Sequence, residues 1–166
     1  MRSFPPNTKI KHTRYHGARV VLLGDTLSEA GAEAHRLADK EHLVFVHPYD
    51  DPRIIAGQGT TALEMLEDAP ELDTLIVPVG GAGLIAGCAV AATALKPDLQ
   101  VFGVEAAGYS AQRLPLAGEA VAVGGDTIAE GIAVRDIGAL PLAICTALVT
   151  AVVSVGEVAI ERAATL

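Results

Sequence analysis

The chain has 166 residues, which is enough for one domain or slightly more. Twelve basic against twenty acidic residues give a net charge of −8, and this charge disfavours nucleic acid and anionic lipid as partners. Only 19% of the residues are charged and 51% are hydrophobic, so we expect part of the surface to contact protein, in a homo-oligomer or with a complementary polypeptide.

Two uncharged spans, residues 74–95 and 137–156, are long enough to cross a membrane. Proline interrupts both spans and a glycine run interrupts the first, so we expect both to be buried in a globular protein. Cys88 and Cys145 lie in apolar stretches, so we expect both to be free thiols that behave as small hydrophobic groups. Free thiols are typical of a reducing compartment. The start of the chain lacks the apolar core of a signal peptide, and we therefore expect a cytoplasmic protein.

The first part of the chain predicts a strand at residues 19–23 and a second one at residues 43–46. Between them, Thr26 and Glu29 have the spacing of a capping box, which predicts a helix to about Lys40. Two prolines in the following segment predict an irregular crossing there. We therefore divide the chain into residues 1–47 and residues 48–166.

The second part alternates apolar strands with helices. Thr61 and Glu64 again have capping-box spacing, which predicts a helix to about Asp68. The further predicted elements are a strand at 74–79, a helix at 82–95, a strand at 100–105, a helix near 111–116, a glycine turn at 124–125, an irregular stretch at 127–134, a helix at 139–148, a strand at 151–153 and a last helix after Ser154. This order predicts a three-layer α/β fold, an open and mostly parallel sheet with helices on both faces.

The most informative segment is the glycine bend that joins the strand at residues 74–79 to the helix after it. Such a bend lets the backbone approach a phosphate, while the N–H groups and the positive end of the helix face its oxygens. Gly81, Gly83 and Ala86 also fit a dinucleotide fingerprint, with Glu105 near the position of a ribose-binding acid. Three interpretations stay open: a phosphate site, a nicotinamide site, and a bend whose glycines only permit close packing.

A resemblance narrows these interpretations. Four blocks in order are similar to the threonine/serine dehydratase family of pyridoxal-phosphate enzymes: His47-Pro48-Tyr49-Asp50-Asp51-Pro52-Arg53-Ile54-Ile55-Ala56-Gly57-Gln58-Gly59-Thr60, Val77-Pro78-Val79-Gly80-Gly81-Ala82-Gly83-Leu84-Ile85-Ala86-Gly87, Gly103-Val104-Glu105 and Thr127-Ile128-Ala129-Glu130-Gly131-Ile132-Ala133-Val134. The resemblance implies an incomplete fold of the tryptophan-synthase-β-like type, with residues 1–47 as the remnant of a small domain and residues 48–166 as part of a large one. It also implies a hydroxy amino acid as the substrate of the parent enzyme.

The resemblance implies a role for each matching residue. The cofactor phosphate would be held by the backbone of Gly80, Gly81, Ala82, Gly83 and Leu84. Ala82 departs from the family's all-glycine pattern, and its methyl group is tolerable at negative φ but weakens a site that needs a left-handed residue. Gly131 would lie beside the pyridine ring, or it is a plain turn glycine. Glu105 matches the start of a cation site whose second carboxylate is replaced here by Ala111.

The sequence does not supply a convincing acid/base pair or a lysine for covalent catalysis. Asp50 and Asp51 could act as an acid/base pair, but an aspartate before Pro52 is better explained as a helix N-cap. The family's Schiff-base lysine motif does not occur in this sequence, and Lys96 is expected at the far end of the helix that follows the bend. We therefore expect no catalytic residue, no covalent attachment of the cofactor and no activity of the chain alone.

Overall fold

The computed structural model describes residues 7–109 and 124–165. The order of the elements is α1 (Asn7–Tyr15), α2 (Leu27–Glu41), α3 (Pro52–Asp68), β1 (Thr74–Pro78), α4 (Gly83–Leu95), β2 (Gln100–Ala106), α5 (Ala139–Leu148), β3 (Ala151–Val155) and α6 (Glu157–Ala164), with 3-10 turns at Ala107–Tyr109 and Glu130–Ile132. The chain divides into two compact units, Met1–Val46 and His47–Leu166. None of the described helices is long and apolar enough to cross a membrane.

The first unit contains α1 and α2. The capping box predicted for α2 is confirmed, because the Glu29 amide donates to Thr26 Oγ1 at 3.2 Å and the Thr26 amide donates to Glu29 Oε2 at 3.3 Å. The strands predicted at residues 19–23 and 43–46 are wrong, since the structure assigns no strand to either segment. The helix α1 precedes the elements that the sequence predicts and was not predicted itself.

The second unit begins with the irregular segment and then α3. Asp51 is the N-cap of α3, its Oδ1 accepting from the Arg53 amide at 2.8 Å, and Pro52 is the first helical residue, as predicted. The start predicted at Thr61 is wrong, because α3 continues without interruption from Pro52 to Asp68. The helix expected near residues 111–116 lies outside the described residues.

The sheet has three parallel strands in the order β1-β2-β3, which confirms the predicted parallel α/β class. The helix α4 lies between α3 and α5 and packs on β1 and β2. One face of the sheet is buried, with Leu75, Val77 and Val101 in the core. On the other face, Ile76 and Val153 are 71% and 52% exposed. The sheet therefore has an apolar face that the described residues leave open.

Both cysteines belong to this unit and are free and buried, as expected. Burial raises the pKa of the Cys145 thiol to about 12 and also raises the pKa of Cys88. A thiol with a raised pKa is a poor nucleophile, so both side chains act as small apolar groups.

Candidate phosphate-binding site

The glycine bend occupies the carboxyl end of β1. The strand ends at Pro78 and α4 begins at Gly83, and between them Val79 still pairs with the sheet through an amide bond to the Val104 carbonyl at 2.8 Å. Open α/β sheets bind their ligands at this edge, because strands end there and helices begin. The predicted candidate residues Gly80, Gly81, Ala82, Gly83 and Leu84 therefore form one continuous turn in the expected place.

The backbone donors of this bend are available. The amides of Gly81, Ala82, Gly83 and Leu84 donate no hydrogen bond to any of the residues that the structure describes. The first repeating bond of the helix is the one from the Ala86 amide to the Ala82 carbonyl, at 3.0 Å. Donors at the start of a helix carry partial positive charge, so this bend can stabilise an anion.

Ala82 is the N-cap of α4 and has a left-handed backbone, with φ of 67° and ψ of 5°. A left-handed conformation costs an L-residue about 1–2 kcal/mol because its Cβ approaches the next carbonyl. The methyl group is 3% exposed and belongs to the core. Of the two cases considered from the sequence, the left-handed one occurs. The bend therefore carries backbone strain at a position where the resembling family has glycine.

Two of the glycines are also required by packing. A Cβ on Gly81 would overlap the ring of Tyr49, and a Cβ on Gly83 would lie 2.8 Å from the Cβ of Tyr49. Close packing thus explains the missing side chains, as one of the sequence interpretations proposed. It does not explain the amides, which face no described acceptor. The glycines of the bend therefore allow tight packing against Tyr49, and the backbone amides of the bend remain available as donors to an anion.

Gly131 lies in the 3-10 turn Glu130–Ile132, which the fold brings to the same bend. A Cβ on Gly80 would lie 3.1 Å from the Cα of Ile132, so the two segments touch. Gly131 itself is exposed, and a Cβ there would meet nothing within 4 Å. Its own surroundings thus do not require glycine, and open space remains on that side of the turn.

The two neighbouring aspartates are both helix caps. Asp50 accepts from the amides of Ala139 and Leu140 at 3.0 Å each and so caps α5, while Asp51 caps α3. Hydrogen bonds from Arg53 hold the pKa of Asp51 at about 2. The capping interpretation of Asp51 is confirmed, and Asp50 performs the same task for a helix almost ninety residues further along.

The whole chain, residues 1–166, matches the family described as pyridoxal-phosphate dependent enzyme. The chain belongs to this family. The L-threonine ammonia-lyase of Thermotoga maritima is 42% identical over 95% of the chain, which covers 40% of that protein, and the one of Geobacter sulfurreducens is 42% identical over 93% of the chain. The dehydratase-like character expected from the four blocks is confirmed.

Solved structures agree with this assignment. Maize serine racemase superimposes with a TM-score of 0.86 at 32% identity, over 97% of this chain and 51% of that one. The processed threonine deaminase isoform 2 of Solanum lycopersicum gives a TM-score of 0.81 at 36% identity, over 94% of this chain and 46% of that one. The chain thus spans about half or less of the length of these relatives.

The bend fits the phosphate end of the family's cofactor, since it offers backbone donors beside glycines that exclude side chains. Lys96 does not complete the site. It follows α4 at the end opposite the bend, where its Nζ donates to the carbonyls of Pro70 at 3.1 Å and Leu72 at 2.5 Å. Lys96 therefore has a structural role, in which it links the end of α4 to the loop before β1.

Glu105 lies at the carboxyl end of β2 and is 5% exposed. Burial raises the pKa of its carboxyl group. The described residues contain no group of three histidine, cysteine or acidic side chains that could hold a metal ion, and Ala111 lies outside them. A buried carboxyl is also poorly placed to bind the ribose of a nicotinamide cofactor. The cation role of Glu105 stays a prediction.

Tyr49 is the residue of this site that sequence reasoning missed. It belongs to the first of the four blocks. Its residue type and its position in the sequence do not predict a contact with Gly81, because that contact depends on how α3 and α4 pack. Its hydroxyl donates to the carbonyl of Asp136 at 3.1 Å. The only available signal was its place inside a block that resembled a known family.

Proposed function

We propose that this chain provides the phosphate-binding part of a pyridoxal-phosphate-dependent threonine/serine dehydratase, with pyridoxal phosphate as its cofactor. The observation that carries the proposal is the set of amides from Gly81 to Leu84, which lack a described acceptor at the carboxyl edge of a parallel sheet. When bound, the cofactor supplies an electron-withdrawing ring that stabilises negative charge on an amino acid. The chain's own contribution is to hold and orient the phosphate, with Gly131 beside the ring.

The substrate of the assembled enzyme is a hydroxy amino acid, which loses its α-proton and β-hydroxyl group as water. The resulting enamine then takes up water and releases ammonia to give a 2-oxo acid. The names of the relatives support this substrate class. The required amine is not provided by Lys96, whose Nζ is bonded at the other end of α4. We assign it to a polypeptide segment outside this sequence, and the chain alone is inactive.

The same proposal assigns residues 1–47 to the remnant of a small domain and residues 48–166 to part of the large cofactor domain. The chain associates with itself or with a complementary polypeptide, and the exposed Ile76 and Val153 on the open sheet face support this. The compartment is the cytoplasm, in agreement with two free, buried thiols.

Titration of the purified chain tests the proposal. Pyridoxal phosphate should bind in a way that inorganic phosphate competes with, while pyridoxal, which lacks the phosphate, should bind much more weakly. Borohydride reduction of the complex should leave no adduct on any lysine, and L-threonine or L-serine should yield no oxo acid. Equal binding of pyridoxal and pyridoxal phosphate would contradict the phosphate site, and an oxo-acid product would contradict the inactivity of the chain alone.

A non-catalytic assembly module is the second candidate, and the contacts of Gly81 and Gly83 with Tyr49 favour it, because packing alone explains those glycines. This candidate predicts a stable oligomer by light scattering together with no change of the cofactor absorbance spectrum on mixing.

A further inference from the structure

Tyr49 connects three parts of the site. Its ring lies where a Cβ on Gly81 would stand, and its Cβ and carbonyl oxygen lie 2.8 and 3.0 Å from where a Cβ on Gly83 would stand. Its hydroxyl donates to the carbonyl of Asp136, two residues before the N-cap of α5. One side chain thus bridges from the phosphate bend to the segment that leads into α5.

The orientation of Tyr49 is itself fixed by its neighbours. The imidazole Nδ1 of His47 accepts from the amides of Tyr49 at 3.2 Å and Asp50 at 2.7 Å. The two rings meet edge to face, with centroids 4.8 Å apart. Asp50 then fastens the same turn to α5. A residue held at its backbone, its ring and its hydroxyl has little freedom to leave the bend.

We propose that Tyr49 is a positioning residue that holds the bend from Gly81 to Leu84 in the conformation that receives an anion. The bend needs such support because Ala82 holds a left-handed conformation that an L-residue does not favour. Free amides bind an anion well only when they are already oriented, since ordering them at the moment of binding reduces affinity. The ring of Tyr49 fixes the orientation of these amides in the unliganded chain.

The hydroxyl group has a smaller part than the ring. Burial, with the charges of Asp136 and Asp50, raises the pKa of Tyr49, so the phenol remains a donor at neutral pH. One hydrogen bond to a carbonyl contributes less than the contact of a whole ring with two glycines. The conservative change Tyr49→Phe therefore preserves most of the positioning, and Tyr49→Ala removes it.

Hydrogen–deuterium exchange of the unliganded chain tests this without any cofactor. Tyr49→Ala should speed exchange of the Ala86 and Gly138 amides, which donate to the bend carbonyls of Ala82 and Gly81, by about tenfold or more, while the amides of β2 stay within about twofold. Tyr49→Phe should restore exchange to within about threefold of the unmodified chain. Phe102→Ala is the control, because it removes a half-buried ring of the same unit, and it should loosen β2 more than the bend.

The second measurement is the dissociation constant for pyridoxal phosphate, and this arm rests on the proposed function. Tyr49→Ala should raise it by about tenfold and Tyr49→Phe by no more than about threefold. Unchanged exchange of the Ala86 and Gly138 amides in Tyr49→Ala would overturn the inference, whatever the ligand. Failure of the unmodified chain to bind would instead overturn the cofactor site and leave the exchange result standing. If Tyr49→Ala does not fold, Tyr49→Leu replaces it with the same expectations.

Discussion

Gly87 of α4 and Gly59 of α3 bring their helix backbones into direct contact. A Cβ on Gly87 would lie 2.6 Å from the Gly59 amide nitrogen and would overlap the Ile55 carbonyl oxygen. A Cβ on Gly59 would in turn lie 2.9 Å from the Gly87 carbonyl oxygen. The glycine pair therefore sets how closely α3 and α4 approach.

Gly87→Ala should destabilise the fold by about 2–3 kcal/mol, because the added methyl group meets backbone atoms that cannot rotate away. Its control is Gly57→Ala on the exposed side of α3, where a Cβ would meet nothing within 4 Å. That change should stabilise the helix by about 0.5–1 kcal/mol, since alanine loses less conformational freedom than glycine. Urea unfolding followed by circular dichroism measures both, and an equal effect of the two changes would contradict the close crossing.

Ala82→Gly should change stability by less than about 1 kcal/mol. Relief of the left-handed strain contributes about 1–2 kcal/mol. The lost burial of a methyl group, about 0.8 kcal/mol, and the greater freedom of glycine in the unfolded chain, about 0.5–1 kcal/mol, oppose it. Ala82→Val should cost about 2 kcal/mol or more, because a β-branched residue tolerates positive φ poorly. Thermal unfolding of the two variants tests this, and a valine variant as stable as the unmodified chain would exclude the left-handed conformation.

Asp50→Ala should lower stability by about 1–2 kcal/mol, because the amides of Ala139 and Leu140 lose their acceptor at the start of α5. Asp50→Asn, which keeps one oxygen acceptor, should recover part of this loss. Asp39→Ala in α2 is the control for removing one negative charge. Denaturant unfolding gives the three values, and a loss in Asp39→Ala as large as in Asp50→Ala would show that the cap has no special effect.

Glu105→Gln should make the fold more stable at neutral pH and leave it nearly unchanged in acid. Burial raises the folded pKa of Glu105 above its unfolded value, so the stability that its protonated form contributes is complete below the unfolded pKa. That stability is lost as the pH rises through the folded pKa, whereas glutamine does not ionise. Melting temperatures from about pH 4 to 8 measure the difference, with exposed Glu64→Gln as the control. A Glu105→Gln variant that is less stable at pH 8 would indicate that the ionised carboxyl has a partner.

The region from Thr74 to Ala106 could be predicted almost to the residue. Its strands are continuously apolar and its helix begins at a glycine bend, so local sequence and tertiary environment favour the same structure. The N-cap at Asp51 was equally readable, since an acceptor before proline at the first helical position is a local signal.

The wrong predictions concern features that depend on distant residues. Residues 19–23 have the composition of a strand, but strand propensity depends on tertiary context and composition alone does not decide it. Thr61 has the spacing of a helix start, and only the close crossing at Gly59 shows why α3 runs through two glycines before it. The contact of Tyr49 with Gly81 likewise follows from packing and has no local signal.

The caps and bridges between residues 49–50 and residues 136–140 join positions that are 87 to 90 apart in sequence. Contacts of such long range form slowly, because the intervening chain must first be brought together. We therefore expect the amides of residues 81–84 to become ordered late in folding. A ligand that binds them stabilises only chains that have completed the fold, so a phosphate compound added during refolding should increase the final yield more than the initial rate.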